Sequence, residues 1–148
     1  MKKAITPEKE IVEPVMMNES VSNEDGVIFS VVSVDNENTV GNDFTEVTTE
    51  NNFVIVTVKI TNESDEPYYA SALRFVLVAD GKEYQYCGDA ILAVENSMYM
   101  DTLNPGLSEE YVIVYETPTT TTATKYVLEI KSSGMSDKVV AGIILEEG

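Results

Sequence analysis

The sequence contains no histidine and only one cysteine, and these two scarcities exclude whole classes of function. The chain cannot form an intramolecular disulfide, and it cannot build a zinc site from His and Cys ligands. It also lacks Gly-x-Ser-x-Gly, Gly-x-Gly-x-x-Gly and the Walker-type Gly-Lys-Ser/Thr loop. Cys87 has no histidine to activate it, so we predict a small, partly buried apolar residue. We expect no enzyme activity and no cofactor.

Basic residues are also scarce. Nine Lys and Arg stand against 26 Asp and Glu, which gives a net charge of −17. Such a surface repels phosphate backbones and anionic lipid headgroups, so we expect neither a nucleic-acid partner nor direct binding to headgroups. A cationic partner or a metal ion stays open, although a well-solvated, highly soluble surface is the simpler interpretation.

Long apolar runs are missing too, since no segment reaches the ~18 residues that a membrane span needs. Lys2 and Lys3 are followed by Pro7 and further charges instead of an apolar stretch, so the start is not an intact signal peptide. The protein is therefore cytosolic, or a signal has been removed. Residues 1–25 are predicted to be an acidic tether or a loosely docked segment, and residues 26–148 the folded domain.

From Gly26 onward, short β runs alternate with turn residues. The clearest run has a period of two and places these four on one face: Val54, Val56, Val58 and Ile60. Asp80-Gly81 predicts a tight hairpin turn. In "LNPGLSEEYVIVYETP" the Pro-Gly pair predicts a turn, the apolar run a central strand, and Pro118 the end of pairing.

Seven or eight antiparallel strands at intervals of roughly ten residues predict an all-β protein, an immunoglobulin-like β-sandwich. At most one short helix is expected, at 88–98, where a covering loop is the alternative. No helices alternate with the strands, which excludes an α/β fold.

Two oxygen-rich segments are candidates for Ca²⁺ binding. Asp35, Glu37 and Asp43 are placed in one predicted loop, and Asp65 lies in another. Neither segment has EF-hand spacing, and ordinary turns use the same residue types, so we favour no metal site.

Two groups of aromatic and methionine residues are candidates for contact with a partner: Tyr68, Tyr69, Met98, Tyr99 and Met100. Met98 to Asn104 is a predicted loop. It either contacts a partner or folds back as a lid over one end of the sandwich, and we favour the lid.

Several strings, in this order, resemble one family. They are "FVIVTVKITNESDEPYY", "RFVLVADGKEY", "LNPGLSEEYVIVYETP" and "YVLEI". The family is the telokin-like immunoglobulin-fold domain of Gram-positive surface lipoproteins and secreted proteins, a domain of unknown function. It is similar in fold to a mycobacterial immunoprotective extracellular protein. The sequence departs from the family pattern at Leu107-Ser108 and has no lipobox cysteine ahead of the acidic segment.

The resemblance implies a non-catalytic, extracytoplasmic binding or spacer module, anchored at the cell surface by a lipid that these residues do not carry. Its partner would be a protein or another cell-surface component. The alternative is a soluble, acidic inhibitor or immunity-like protein that docks on a basic partner.

Overall fold

Two β-sheets lie face to face and enclose one apolar core, as the sequence predicts for an immunoglobulin-like sandwich. The structure is a computed structural model that describes residues 13–42, 44–98, 100–119, 126–132 and 138–145.

Each sheet is ordered by hydrogen-bonded neighbours. The first runs β1 (Val15–Met16), β11 (Val139–Leu145), β10 (Tyr126–Lys131), β6 (Phe75–Ala79) and β7 (Lys82–Tyr84). The second runs β2 (Val21–Ser22), β3 (Val27–Gly41), β4 (Glu46–Asn62) and β9 (Ser108–Thr117). A separate pair joins β5 (Tyr68–Ser71) to β8 (Met100–Leu103). A 3-10 turn at Ala72–Arg74 and one short helix, α1 (Gly88–Ile91), complete the described elements.

The predicted alternation in β4 is confirmed, because all four of its inward residues are fully buried: Val54, Val56, Val58 and Ile60. A hydrogen bond also crosses the core between the two sheets. The hydroxyl of Tyr115 in β9 donates to the carbonyl oxygen of Phe75 in β6 over 2.9 Å. Burial raises the pKa of Tyr115, so this hydroxyl stays protonated.

The other face of the second sheet carries a smaller apolar cluster. Phe53 of β4, Val114 of β9 and Val40 of β3 meet Ala90 of α1 there. Cys87 is partly buried against this cluster, which confirms the prediction for it. The short helix therefore covers part of the outer face of the second sheet and packs against Val40 of β3 and Phe53 of β4.

Strand β9 was predicted to be central, and that prediction is wrong. It is the last strand of its sheet, and its outer edge is covered by two short extended pieces of chain. Cys87 N donates to Val114 O over 2.7 Å, and Met98 N donates to Val112 O over 2.9 Å. The sequence of β9 has the apolar pattern of a central strand because its inner face is buried and its outer face is partly covered.

The boundary predicted at residue 26 also needs correction. Val15 of β1 pairs in parallel with Ile143, and Val21 of β2 pairs with Phe29 in antiparallel register. The sandwich therefore begins by Val15. Strands of two residues are too short to show a period, so the pairing of this segment could not be predicted from its pattern.

Within the described residues, no helix combines the length and the apolar character that crossing a bilayer requires.

Candidate contact surface

The β5–β8 pair brings together the two groups of residues that the sequence singled out separately. Tyr69 lies opposite Thr102, and Ser71 lies opposite Met100. Directly opposed residues of an antiparallel pair share a face, so these four side chains form one surface. The side chains of Tyr69 and Met100 are 63% and 76% exposed. We call this face the β5–β8 surface.

The opposite face of the same pair belongs to the core. Tyr68 lies opposite Leu103, both are buried, and the Tyr68 ring meets Phe29 edge to face at 5.7 Å. Burial raises the pKa of Tyr68. Met98 is fully buried as well. Tyr68 and Met98 are therefore core residues and not contact residues, because strand alternation sends only one of two adjacent tyrosines outward. Tyr99 lies outside the described residues.

Two open grooves meet at Tyr69. The smaller, of about 310 Å³, is lined by Tyr69, Ala70, Ser71, Met100, Asp101 and Thr102. The larger, of about 460 Å³, is lined by Asp25, Val27, Ser64, Asp65, Glu66, Pro67, Tyr68 and Tyr69. Tyr69 stands between them as an exposed aromatic ridge, with carboxylates on both sides.

One carboxylate of the smaller groove is held in place from the core. Tyr111 of β9 donates its hydroxyl proton to Asp101 Oδ2 over 2.6 Å. Burial and this hydrogen bond raise the pKa of Tyr111, so the donor stays protonated. The rim of the groove thus carries a fixed negative charge beside an exposed Met100.

The larger groove and β8 are tied to β4 by Asn62, which is fully buried. Its Nδ2 donates to Glu66 O at 2.8 Å and to Leu103 O at 2.9 Å. Its Oδ1 accepts from Ser64 N at 3.0 Å and from Ser64 Oγ at 2.6 Å. One side chain therefore satisfies four polar partners on the turn after β4 and on β8, and it fixes the position of both.

The predicted Ca²⁺ residues do not converge. Asp35 and Glu37 lie within β3, opposite Ile55 and Phe53, and not in a loop. That placement was wrong because the turn-forming Asn and Asp residues around them are overridden by pairing along the β3–β4 hairpin. Asp65 lies in the turn after β4, and Asp43 is outside the described residues. The part of the chain that the structure describes has no group of three or more His, Cys, Asp or Glu able to hold a metal ion.

The same acids have a structural explanation. Strand β2 pairs with β3 only at Phe29 and Ile28, so no described strand covers the outer edge of β3 beyond them. Exposed Asp35 and Glu37 lie along that edge. Charges on an open edge disfavour pairing with another chain.

Sequence reasoning missed Phe44, whose side chain is 97% exposed at the turn between β3 and β4. The available signal was an aromatic residue inside the polar string "GNDFTE". On β4, hydrogen bonds from Thr49 and Asn51 to Glu116 of β9 lower the pKa of the Glu116 carboxyl group.

Residues 15–140 match the family described as "Domain of unknown function (DUF4352)". The chain belongs to this family. The start of the matched region coincides with β1, the first described strand. No curated protein shows significant similarity to this DUF4352 chain.

Solved structures share its sandwich. The yjhA protein from Bacillus subtilis superposes with a TM-score of 0.67 at 15% identity, over 89% of this chain and 99% of that one. MPT63, a secreted protein from Mycobacterium tuberculosis, gives 0.62 at 14%, over 92% and 99%. The ycdA protein from Bacillus subtilis, described as a "putative lipoprotein", gives 0.60 at 16%, over 85% of this chain and 37% of that one. At these identities the likeness shows a common fold.

Proposed function

We propose that this DUF4352 domain is a non-catalytic, extracytoplasmic binding module of a secreted or surface lipoprotein. The observation that carries the proposal is the β5–β8 surface, where Tyr69 and Met100 are exposed on the same face, diagonal to one another. Tyr and Met are enriched at protein interfaces, since both present a large apolar area with adaptable contacts. The partner is a protein or another component of the cell surface.

The location outside the cytoplasm draws its support from the structural relatives. MPT63 is described as a secreted protein and ycdA as a "putative lipoprotein". Labelling of the full-length protein on intact cells with an antibody tests it, and exclusion of the antibody from unpermeabilised cells would contradict it.

Binding is tested by capture of cell-surface components from the source organism on the immobilised domain. We compare the wild type with the double variant Tyr69→Ser/Met100→Ser and with the matched control Leu92→Ser, because Leu92 is 64% exposed on α1's C-terminal side. The double variant should retain roughly a tenth or less of the captured component, as expected for removal of two central apolar contacts. Equal capture by all three proteins would refute this surface.

A soluble, acidic inhibitor that docks on a basic protein is the second candidate. The acids of the larger groove, Asp25, Asp65 and Glu66, favour it. Its affinity would fall steeply with salt, whereas capture through the Tyr69 and Met100 side chains would change little.

A further inference from the structure

Phe44 lies at the tip of the β3–β4 hairpin and is nearly free of contacts. Its side chain is 97% exposed, and the next most exposed large apolar residue among those described is Met100 at 76%. A single exposed apolar residue is ordinary on a protein surface. Two further features distinguish Phe44: the turn that positions its backbone and the charged residues around it.

The turn is closed by its own hydrogen bonds. Asn42 Oδ1 accepts from Phe44 N at 2.8 Å and from Thr45 N at 2.9 Å, and Asn42 N donates to Thr45 O at 2.8 Å. Gly41 has a φ of +122°, and a Cβ there would lie 2.0 Å from Thr45 O. Two residues thus specify the backbone that presents the Phe44 side chain.

The hairpin is supported almost up to the turn. Val40 is only 6% exposed and packs with Phe53, Ala90 and Val114, while Val47 packs against the same cluster. The packed part of the hairpin therefore ends at Val40 on β3 and at Val47 on β4, close to Phe44. A side chain presented from such a base loses little conformational entropy when it binds.

The surroundings of the tip carry negative charge. Glu37, Glu46 and Glu50 are exposed on the hairpin. No Lys or Arg occurs in the sequence between Lys9 and Lys59. An anionic bilayer would repel this region, and a second copy of a chain with a charge of −17 would do so as well. A cationic surface would attract it.

We propose that Phe44 is the anchor of a second contact site, which docks in an apolar pocket on a protein partner whose pocket rim is basic. The site is independent of the β5–β8 surface. Phe44 lies two residues before Glu46, the first residue of β4, whereas Asn62, which bonds to Leu103 of β8, is the last residue of β4. The part of β3 that pairs with β4 runs from Val27 to Gly41, so the two ends of β4 are separated by roughly 40 Å.

The partner is identified by photo-cross-linking. The phenylalanine analogue p-benzoylphenylalanine is placed at position 44 in one protein and at position 107 in a control, since Leu107 is 53% exposed at the other end of β4. Both are irradiated with intact cells of the source organism. We expect a protein adduct at position 44 that is absent at position 107 and that disappears when NaCl rises to about 0.5 M.

The cross-linked protein is then purified and titrated with variants. Phe44→Ser should weaken its binding about ten- to a hundredfold, the effect of losing one buried phenyl ring, while Leu107→Ser and Tyr69→Ser/Met100→Ser should leave binding unchanged. Loss of binding in the Tyr69/Met100 variant instead would place the contact on the β5–β8 surface and overturn the Phe44 site.

A lipid surface is the competing occupant. The chain contains no tryptophan, so Phe44→Trp introduces a single indole at the tip. Its emission should stay that of a solvent-exposed indole when phosphatidylcholine vesicles are added. A blue shift with these vesicles, an adduct common to positions 44 and 107, or no adduct at position 44 would each refute the proposal.

Discussion

Replacing Asn62 with alanine tests whether one buried side chain holds the β5–β8 surface to the sandwich. The substitution removes four hydrogen bonds, of which the one to Leu103 O is fully buried. A buried carbonyl left unpaired costs about 1–3 kcal/mol, and each of the bonds at the more accessible Glu66 and Ser64 contributes about 0.5–1 kcal/mol. We expect a loss of about 3–4 kcal/mol in the free energy of unfolding.

Urea denaturation followed by far-UV circular dichroism measures this loss. With an m-value of about 2 kcal/mol per molar urea, the midpoint should fall by about 1.5–2 M. The matched control is Asn52→Ala on the same strand, whose half-buried amide donates to Asn36 Oδ1 at 2.7 Å and to Thr117 Oγ1 at 3.3 Å. That variant should lose about 1 kcal/mol.

An Asn62→Ala protein within about 1 kcal/mol of the wild type, or no less stable than Asn52→Ala, would refute the reasoning. In either case, water or a shifted backbone would be replacing the lost partners. The variant should also lose protection of the Leu103 and Tyr68 amides from hydrogen exchange before the rest of the sandwich does.

Three further predictions concern the turns, one carboxylate and metal ions. Gly41→Ala should lower the melting temperature clearly more than Gly81→Ala, because a Cβ at Gly41 would meet Thr45 O at 2.0 Å whereas Gly81, at a φ of +77°, has open space; equal shifts would contradict the turn geometry. The hydrogen bond from Thr49 lowers the pKa of Glu116 in the folded protein. Its stabilising effect is therefore fully present above the pKa of an unfolded Glu, and it is lost as the pH falls through the folded pKa. Thr49→Val should raise the Glu116 pKa in an NMR titration. Millimolar Ca²⁺ should leave the melting temperature unchanged, with EDTA as the control. An upward shift that EDTA reverses would instead show that the folded protein binds Ca²⁺.

Much of the fold follows from local sequence signals. The period of two predicts the buried face of β4, and Asp80-Gly81 predicts the turn between β6 and β7, where both residues have positive φ. The Pro-Gly turn before β9 is equally local, since Leu107 N bonds Asn104 O across it. These features need only a few consecutive residues to specify their backbone.

The rest depends on pairing between distant segments. The residues around Tyr68 do not indicate whether Tyr68 or Tyr69 faces inward. That choice is set by the pairing of β5 with β8, about thirty residues later in the chain. Asp35 sits among turn-forming residues yet lies in a strand, since cross-strand bonds to β4 outweigh local preference. The candidate surface could therefore be predicted only in part: Tyr69 and Met100 are exposed as expected, while Tyr68 and Met98 are buried.

Strand β4 runs from Glu46, just after the Phe44 turn, to Asn62. Its register against β3 shifts twice: once at Val32 of β3, and once where residues 49–52 of β4 lie opposite Asn38 alone. A domain with contact sites at both ends of such a strand would hold the two sites at a fixed distance from each other. A flexible linker lets two attached sites bind over a broad range of separations, with an effective concentration that declines gradually as the span grows. A hydrogen-bonded strand pair offers one separation of roughly 40 Å, so joint binding would require partners whose spacing matches that length.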